Sequence, residues 1–219
     1  MRVMVFGDSN SWGTPPDGSD LRFDESIRWP CVMARQLDAV LIEEALPGRT
    51  TVHDDPEMLG PVMNGLKHLP VALRSNSPLD LVVIMLGTND FKARFKPNAA
   101  RIAENIAQLV QCIRDVGGGV GPWGDINAPR IAIIVPPNLP ATVDDKSWER
   151  ATEWRGGRAA SRALAREMTD LAKVIGVAVF DADKVVTGSN KDPIHLESES
   201  HIDLGQAIAH WLQALPGNA

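Results

Sequence analysis

Ser9 stands just behind a short apolar run, Val3-Met4-Val5-Phe6, within Gly7-Asp8-Ser9-Asn10. A serine where a strand gives way to a helix projects its hydroxyl above the sheet edge, with backbone N–H groups aimed at the same point. That hydroxyl is a weak nucleophile until a base takes its proton. Near the other end of the chain, Asp192-Pro193-Ile194-His195 sets a carboxylate three residues ahead of an imidazole. The spacing lets Asp192 reach Nδ1–H while Nε2 faces outward, which fixes the tautomer and stabilises the imidazolium. Between them, Gly87-Thr88-Asn89-Asp90 closes a second apolar run, and the Asn89 amide is a candidate donor to a developing oxyanion. Nucleophile, base, orienting acid and amide donor are together what acyl transfer to water requires.

Each piece also has a plainer reading. Ser9 suits a helix N-cap, Asp192 and His195 a polar surface turn, and Asn89 a turn residue bonding its own backbone. Gly48, in Leu46-Pro47-Gly48-Arg49, either offers an N–H to the same oxygen or is a turn glycine. The combination favours catalysis because every member falls at a strand end or in a loop. Asp8 and Trp12 beside the serine, and Trp148 and Trp154 in an irregular stretch, are candidate pocket residues; core packing competes for each tryptophan, as it does for Trp123.

The elements that must position these residues can be read from apolar patterning. Strand-like runs occupy 3–6, 39–43, 79–86, 130–135 and 177–180, and helical patterns occupy 29–37, 98–116, 157–175 and 204–215. Nearly continuous apolar strands alternating with helices predict a sheet covered on both faces. The expected class is α/β: a three-layer α/β/α sandwich around a five-stranded parallel sheet, order 2-1-3-4-5, with right-handed crossovers. Two irregular stretches, 13–27 and 136–156, follow strand C-termini and read as walls or lids of a pocket.

A chain of 219 residues with 44% hydrophobic and 23% charged residues suits one globular domain over 1–219. The net charge of −6 and the lack of a basic stripe argue against nucleic acid and anionic membranes as partners. No apolar run approaches the ~20 residues that cross a bilayer, and Met1–Phe6 is too short for a secretory signal, so a cytoplasmic protein is expected. Cys31 and Cys112 show no metal spacing and read as reduced, partly buried thiols. His53-Asp54-Asp55 reads as a structured polar loop, not a metal site, and Gly117-Gly118-Gly119-Val120-Gly121 as a helix stop, not a phosphate cradle. His68, His201 and His210 have no clear partners, and His201 is expected at the surface or as a cap.

Gly7-Asp8-Ser9, Gly48, Gly87-Thr88-Asn89-Asp90 and Asp192-Pro193-Ile194-His195 span nearly the whole chain in this order, and on them the sequence resembles the SGNH (GDSL-type) hydrolase superfamily. The resemblance implies Ser9 as nucleophile, His195 as base and Asp192 as its partner. It implies an oxyanion hole of Ser9 N–H, Gly48 N–H and Asn89, and a flavodoxin-like fold. Ser11-Trp12-Gly13, Arg28-Trp29, Glu43-Glu44-Ala45-Leu46, Arg49-Thr50-Thr51, Asp54-Asp55-Pro56 and Asn64-Gly65 look like the bacterial arylesterase, acyltransferase and carbohydrate acetylesterase branch. That branch implies a serine esterase acting on short-chain acyl (acetyl) esters, such as aryl acetates or acetylated carbohydrates. It implies no cofactor and no metal, and a homo-oligomer, up to an octamer. Transfer of the acyl group to an alcohol from the same site is the alternative. A non-catalytic flavin- or nucleotide-binding module has a similar sheet but leaves the Asp192–His195 pair without purpose. Asn10 departs from the family, where leucine is usual, and so changes the packing beneath the nucleophile.

Overall fold

The computed structural model describes residues 1–19, 21–118 and 128–215, so Trp123 and most of the glycine run lie outside the described residues. Five strands, β1 (Arg2–Gly7), β2 (Val40–Ala45), β3 (Leu81–Met85), β4 (Arg130–Val135) and β5 (Ala178–Asp181), form one parallel sheet in the order 2-1-3-4-5. Helices α1 (Ser9–Trp12), α2 (Trp29–Gln36), α3 (Gly65–Asn76), α4 (Ala99–Val116), α5 (Gly157–Ile175) and α6 (Ser198–Ala214) complete the three layers.

Side-chain alternation along the strands splits the core in two. Met4, Phe6, Val82, Ile84 and Ile133 face α3, α4 and α5, while Val3, Val5, Val83, Met85 and Ile134 face α2 and α6. The inner strand β3 is buried at every residue, whereas the edge strands β2 and β5 are only partly covered. Each fully buried aliphatic side chain contributes ~1.5–3 kcal/mol, so this double core is what holds the strands in register.

Patterning located β1, β4 and α5 to within a residue or two. It placed α6 late: the helix starts at Ser198, because the polar run through His201 belongs to it. It missed α3, where Pro70 sits inside the helix and breaks the expected pattern. Leu69, Ala72 and Leu73 of α3 are nonetheless buried, and Asn64 caps the helix through Lys67 N–H at 3.3 Å.

Parallel register levels the strand ends. Gly7 pairs with both Ala45 and Met85, so the segments that follow β1, β2 and β3 emerge side by side. Among the described residues, no helix is long and apolar enough to cross a membrane.

The α2–α6 contact is tight enough to test. A Cβ on Gly205 would lie 2.7 Å from Trp29 O and 2.7 Å from Val32 Cβ. Gly205→Ala is therefore expected to destabilise the protein by ~1–3 kcal/mol despite the better helix propensity of alanine. Urea denaturation checks this; an unchanged or higher midpoint contradicts the close approach.

Candidate active site

Local backbone chemistry sets Ser9 at the rim of the sheet. Gly7 ends β1 with no room for a side chain, since a Cβ there would fall 2.1 Å from Ser11 Oγ. Asp8 then caps α1, its Oδ1 accepting from Asn10 N–H at 3.0 Å. Gly13, at φ +93°, closes this single turn with its N–H on Ser9 O at 2.9 Å. The chain thus reverses within one helical turn and presents Ser9 to the loops above.

The segment after β5 brings the imidazole to it. His195 Nε2 lies 3.0 Å from Ser9 Oγ, and His195 Nδ1 lies 2.7 Å from Asp192 Oδ2. The second Asp192 oxygen accepts from Ile194 N–H at 3.0 Å. Burial pushes the Asp192 carboxyl up, but the hydrogen bond with His195, the imidazolium charge and the Ile194 N–H outweigh it and hold the group below its ordinary value. Asp192 is therefore ionised at neutral pH and fixes the imidazole with Nδ1 as the donor.

The opposite wall comes from the ends of β2 and β3. Asn89 Nδ2 donates to Arg49 O at 3.1 Å, which orients the amide and leaves its second N–H without a partner among the described residues. Asp90 accepts from Thr51 N–H at 3.0 Å and from the Thr51 hydroxyl, binding the same two segments together. Gly48 lies at φ +88°, and a Cβ there would meet Met58 Cε at 2.5 Å. Neither Ser9 N–H nor Gly48 N–H has an acceptor among the described residues. The structure thus brings Ser9, His195, Asp192, Asn89 and Gly48 to one place.

Ser9, Gly48, Asn89 and His195 border a cavity of about 460 Å³, with Asp192 behind the imidazole. Trp154, Ile194, Met58 and Pro47 are its apolar lining. Apart from Thr14 and the candidate site residues, the rest of the wall is charged: Lys92, Arg94, Arg150, Glu57 and Glu153. Lys92 is 2% exposed, with Nζ 3.3 Å from Asp55 and 3.7 Å from Glu153. Arg94 ties Asp55, Glu57 and Glu153 together at 2.8–3.3 Å. Sequence reasoning passed over this network; its one signal is Lys92 and Arg94 directly behind the Gly87–Asp90 block.

Of the four candidate pocket residues, only Trp154 lines this cavity. Asp8 is buried beneath the serine as a cap. Trp12 turns toward Arg22, whose guanidinium carbon sits 5.1 Å from its ring centre. Trp148 packs on the core with Arg150 5.8 Å from its ring centre. His53, Asp54 and Asp55 form a bonded polar loop, and no cluster suited to a metal occurs among the described residues. A larger cavity of about 810 Å³ opens at the opposite sheet edge, between Met1, Leu81, Arg130 and Leu212; its lining includes no nucleophile–base pair.

Three buried groups around the serine carry shifted charges. Desolvation raises the Asp8 carboxyl to about 6, opposed only in part by Asn10 N–H and the His195 charge. Burial raises Asp90 as well, against its bonds from Thr51. Desolvation lowers Arg49 to about 10, although Glu44 and Asp8 oppose it. Of the two expectations for His201, the surface position is wrong: it is fully buried, accepts from Trp29 N–H at 3.4 Å, and burial lowers it to about 3. Its ring caps α2 from inside the protein.

The family model for GDSL-like lipases and acylhydrolases matches residues 5–202. The chain belongs to this family. Among solved structures, a carbohydrate acetylesterase from Sinorhizobium meliloti is 37% identical, with a TM-score of 0.88 over 97% of this chain and 98% of that one. The native M. smegmatis aryl esterase is 39% identical, with a TM-score of 0.87 over 98% and 99%. A further carbohydrate acetylesterase family member from S. meliloti is 32% identical, with a TM-score of 0.87 over 97% of each chain. No curated protein matches. The GDSL-family chain is a carboxylic ester hydrolase with the SGNH fold.

Asp8 yields a test of the site's electrostatics. Its folded-state pKa lies above the ordinary 3.8, so the folded protein holds more protons, and stability falls as pH rises from about 4 through about 6. Asp8→Asn keeps the capping oxygen and removes the charge. The stability of this variant relative to wild type should therefore improve from pH 4 to pH 8, by up to roughly 3 kcal/mol. Chemical denaturation at both pH values checks it; parallel curves contradict the buried-charge account.

Proposed function

We propose that the protein hydrolyses short-chain acyl esters, acetyl esters above all, through an acyl-enzyme on Ser9. One observation carries the reading: Ser9 Oγ, His195 Nε2, His195 Nδ1 and Asp192 Oδ2 form a continuous chain at 3.0 and 2.7 Å. In this reaction His195 removes the hydroxyl proton as Ser9 attacks the carbonyl carbon. Ser9 N–H, Gly48 N–H and Asn89 Nδ2–H receive the oxyanion. The alcohol departs with the proton from His195, and water then repeats the sequence on the acyl-enzyme.

Acetylated carbohydrates and aryl acetates are the substrate classes proposed, on the likeness to the carbohydrate acetylesterase and the aryl esterase. The cavity supports short acyl groups. Lys92, Arg94, Glu57 and Glu153 form much of its wall, and a long alkyl chain laid against them would leave charges desolvated. A wall of that kind also keeps water beside the acyl-enzyme, which favours hydrolysis over transfer to an alcohol.

Ser9→Ala should lower the rate of p-nitrophenyl acetate hydrolysis at least ~10⁴-fold while circular dichroism stays native. Activity near the wild-type level would refute the assignment. Asn89→Ala should lower kcat by ~10²–10³-fold with a far smaller change in KM. Across p-nitrophenyl esters, kcat/KM should be highest at the acetyl end; a maximum at eight or more carbons would contradict the pocket reading.

A further inference from the structure

Asn10, the residue that breaks the G-D-S-L pattern, is 1% exposed and carries both of its side-chain polar atoms to the opposite end of the chain. Asn10 Nδ2 donates to Ile194 O at 2.9 Å, and Asn10 Oδ1 accepts from Leu196 N–H at 3.2 Å. One amide thus grips the backbone on both sides of His195, in the way a neighbouring strand would. It does so from the position next to the nucleophile.

The other bonds in this segment are local. His195 N–H reaches Asp192 O at 3.2 Å, His195 O accepts from Ser189 N–H at 2.9 Å, and Ile194 N–H bonds Asp192 Oδ1 at 3.0 Å. Those fix the shape of the loop but not its place over the sheet. Among the described residues, only the two Asn10 bonds and the Ser9–His195 contact itself join residues 8–12 to residues 189–197 by hydrogen bonds. The α1 end of the clip is equally fixed, since Asn10 N–H is held by Asp8 Oδ1. A leucine at this position has no polar atom with which to make either bond.

We propose that Asn10 is a positioning residue: its amide sets His195 Nε2 at working distance from Ser9 Oγ, and it acts on catalysis through His195. The inference rests on the esterase reading above, with Ser9 as nucleophile and His195 as base. A misplacement on the order of 1 Å in such a site costs ~10²-fold in rate.

The test uses the full chain with p-nitrophenyl acetate and compares Asn10→Ala and Asn10→Asp, alone and in the His195→Ala background. Asn10→Asp keeps the acceptor for Leu196 N–H and loses the donor to Ile194 O. Each variant should fold, with kcat reduced ~10–100-fold and KM within about twofold of wild type. In the His195→Ala background, neither substitution should lower the residual rate further, since the group it positions is gone. A kcat within twofold of wild type in both variants would overturn the proposal. So would an undiminished extra loss in the His195→Ala background, or loss of the native fold in both variants, which would make the clip a folding element only. A Ser9→Ala protein run alongside separates the two levels: if it remains active, the esterase reading fails, not the clip alone.

Discussion

A hydroxyl and an imidazole separated by 186 residues of sequence meet at 3.0 Å, and the architecture serves that distance. The contact is short-ranged, so an error of one strand register would abolish it. Parallel pairing removes that error. With Gly7 level with Ala45 and Met85, the turn carrying Ser9, the loop carrying Gly48 and the segment carrying Asn89 leave the sheet at one height. The two apolar cores on either face hold the strands at that register, because a slip of one residue would send every buried side chain to the wrong face.

Above the sheet edge, apolar packing gives way to directed polar bonds. Asn89 on Arg49 O, Thr51 on Asp90 and Asn10 on residues 194 and 196 each join segments far apart in sequence. Buried polar links of this kind are costly when unmade and specific when made. Their electrostatic cost is visible at Asp8 and Asp90, both raised by burial, and at Arg49, lowered by it. The site carries strained charge states in order to fix donors and acceptors around an open space beside Ser9.

The sheet order is legible in the chain, and so are the residues gathered at the candidate site, because both rest on local signals. Apolar runs mark β1, β3 and β4, and Gly7, Gly48 and Gly87 mark backbone turns at positive φ or without room for Cβ. Features that depend on tertiary placement are not legible. Pro70 hides α3, whose stability comes from packing Leu69 and Leu73 against the sheet. The cage of Lys92 and Arg94 with Asp55 and Glu153 joins three loops and has no periodicity to betray it. Trp12 and Trp148 lie near the serine in sequence or in the expected wall, yet neither ring lines the cavity: Trp12 pairs with Arg22, and Trp148 packs on the core beside Arg150. Asn10 looks like a lost apolar contact in the sequence and is a two-ended polar clip in the fold.

Catalysis at this site requires that one carbonyl group be surrounded by these residues at once. A crystal structure of the protein after reaction with diethyl p-nitrophenyl phosphate tests this most directly, because the tetrahedral phosphorus mimics the intermediate. The predicted result is phosphorus bonded to Ser9 Oγ, with the phosphoryl oxygen about 3 Å from Gly48 N and Asn89 Nδ2. Phosphorus on any other residue, or a phosphoryl oxygen turned away from both donors, would contradict it.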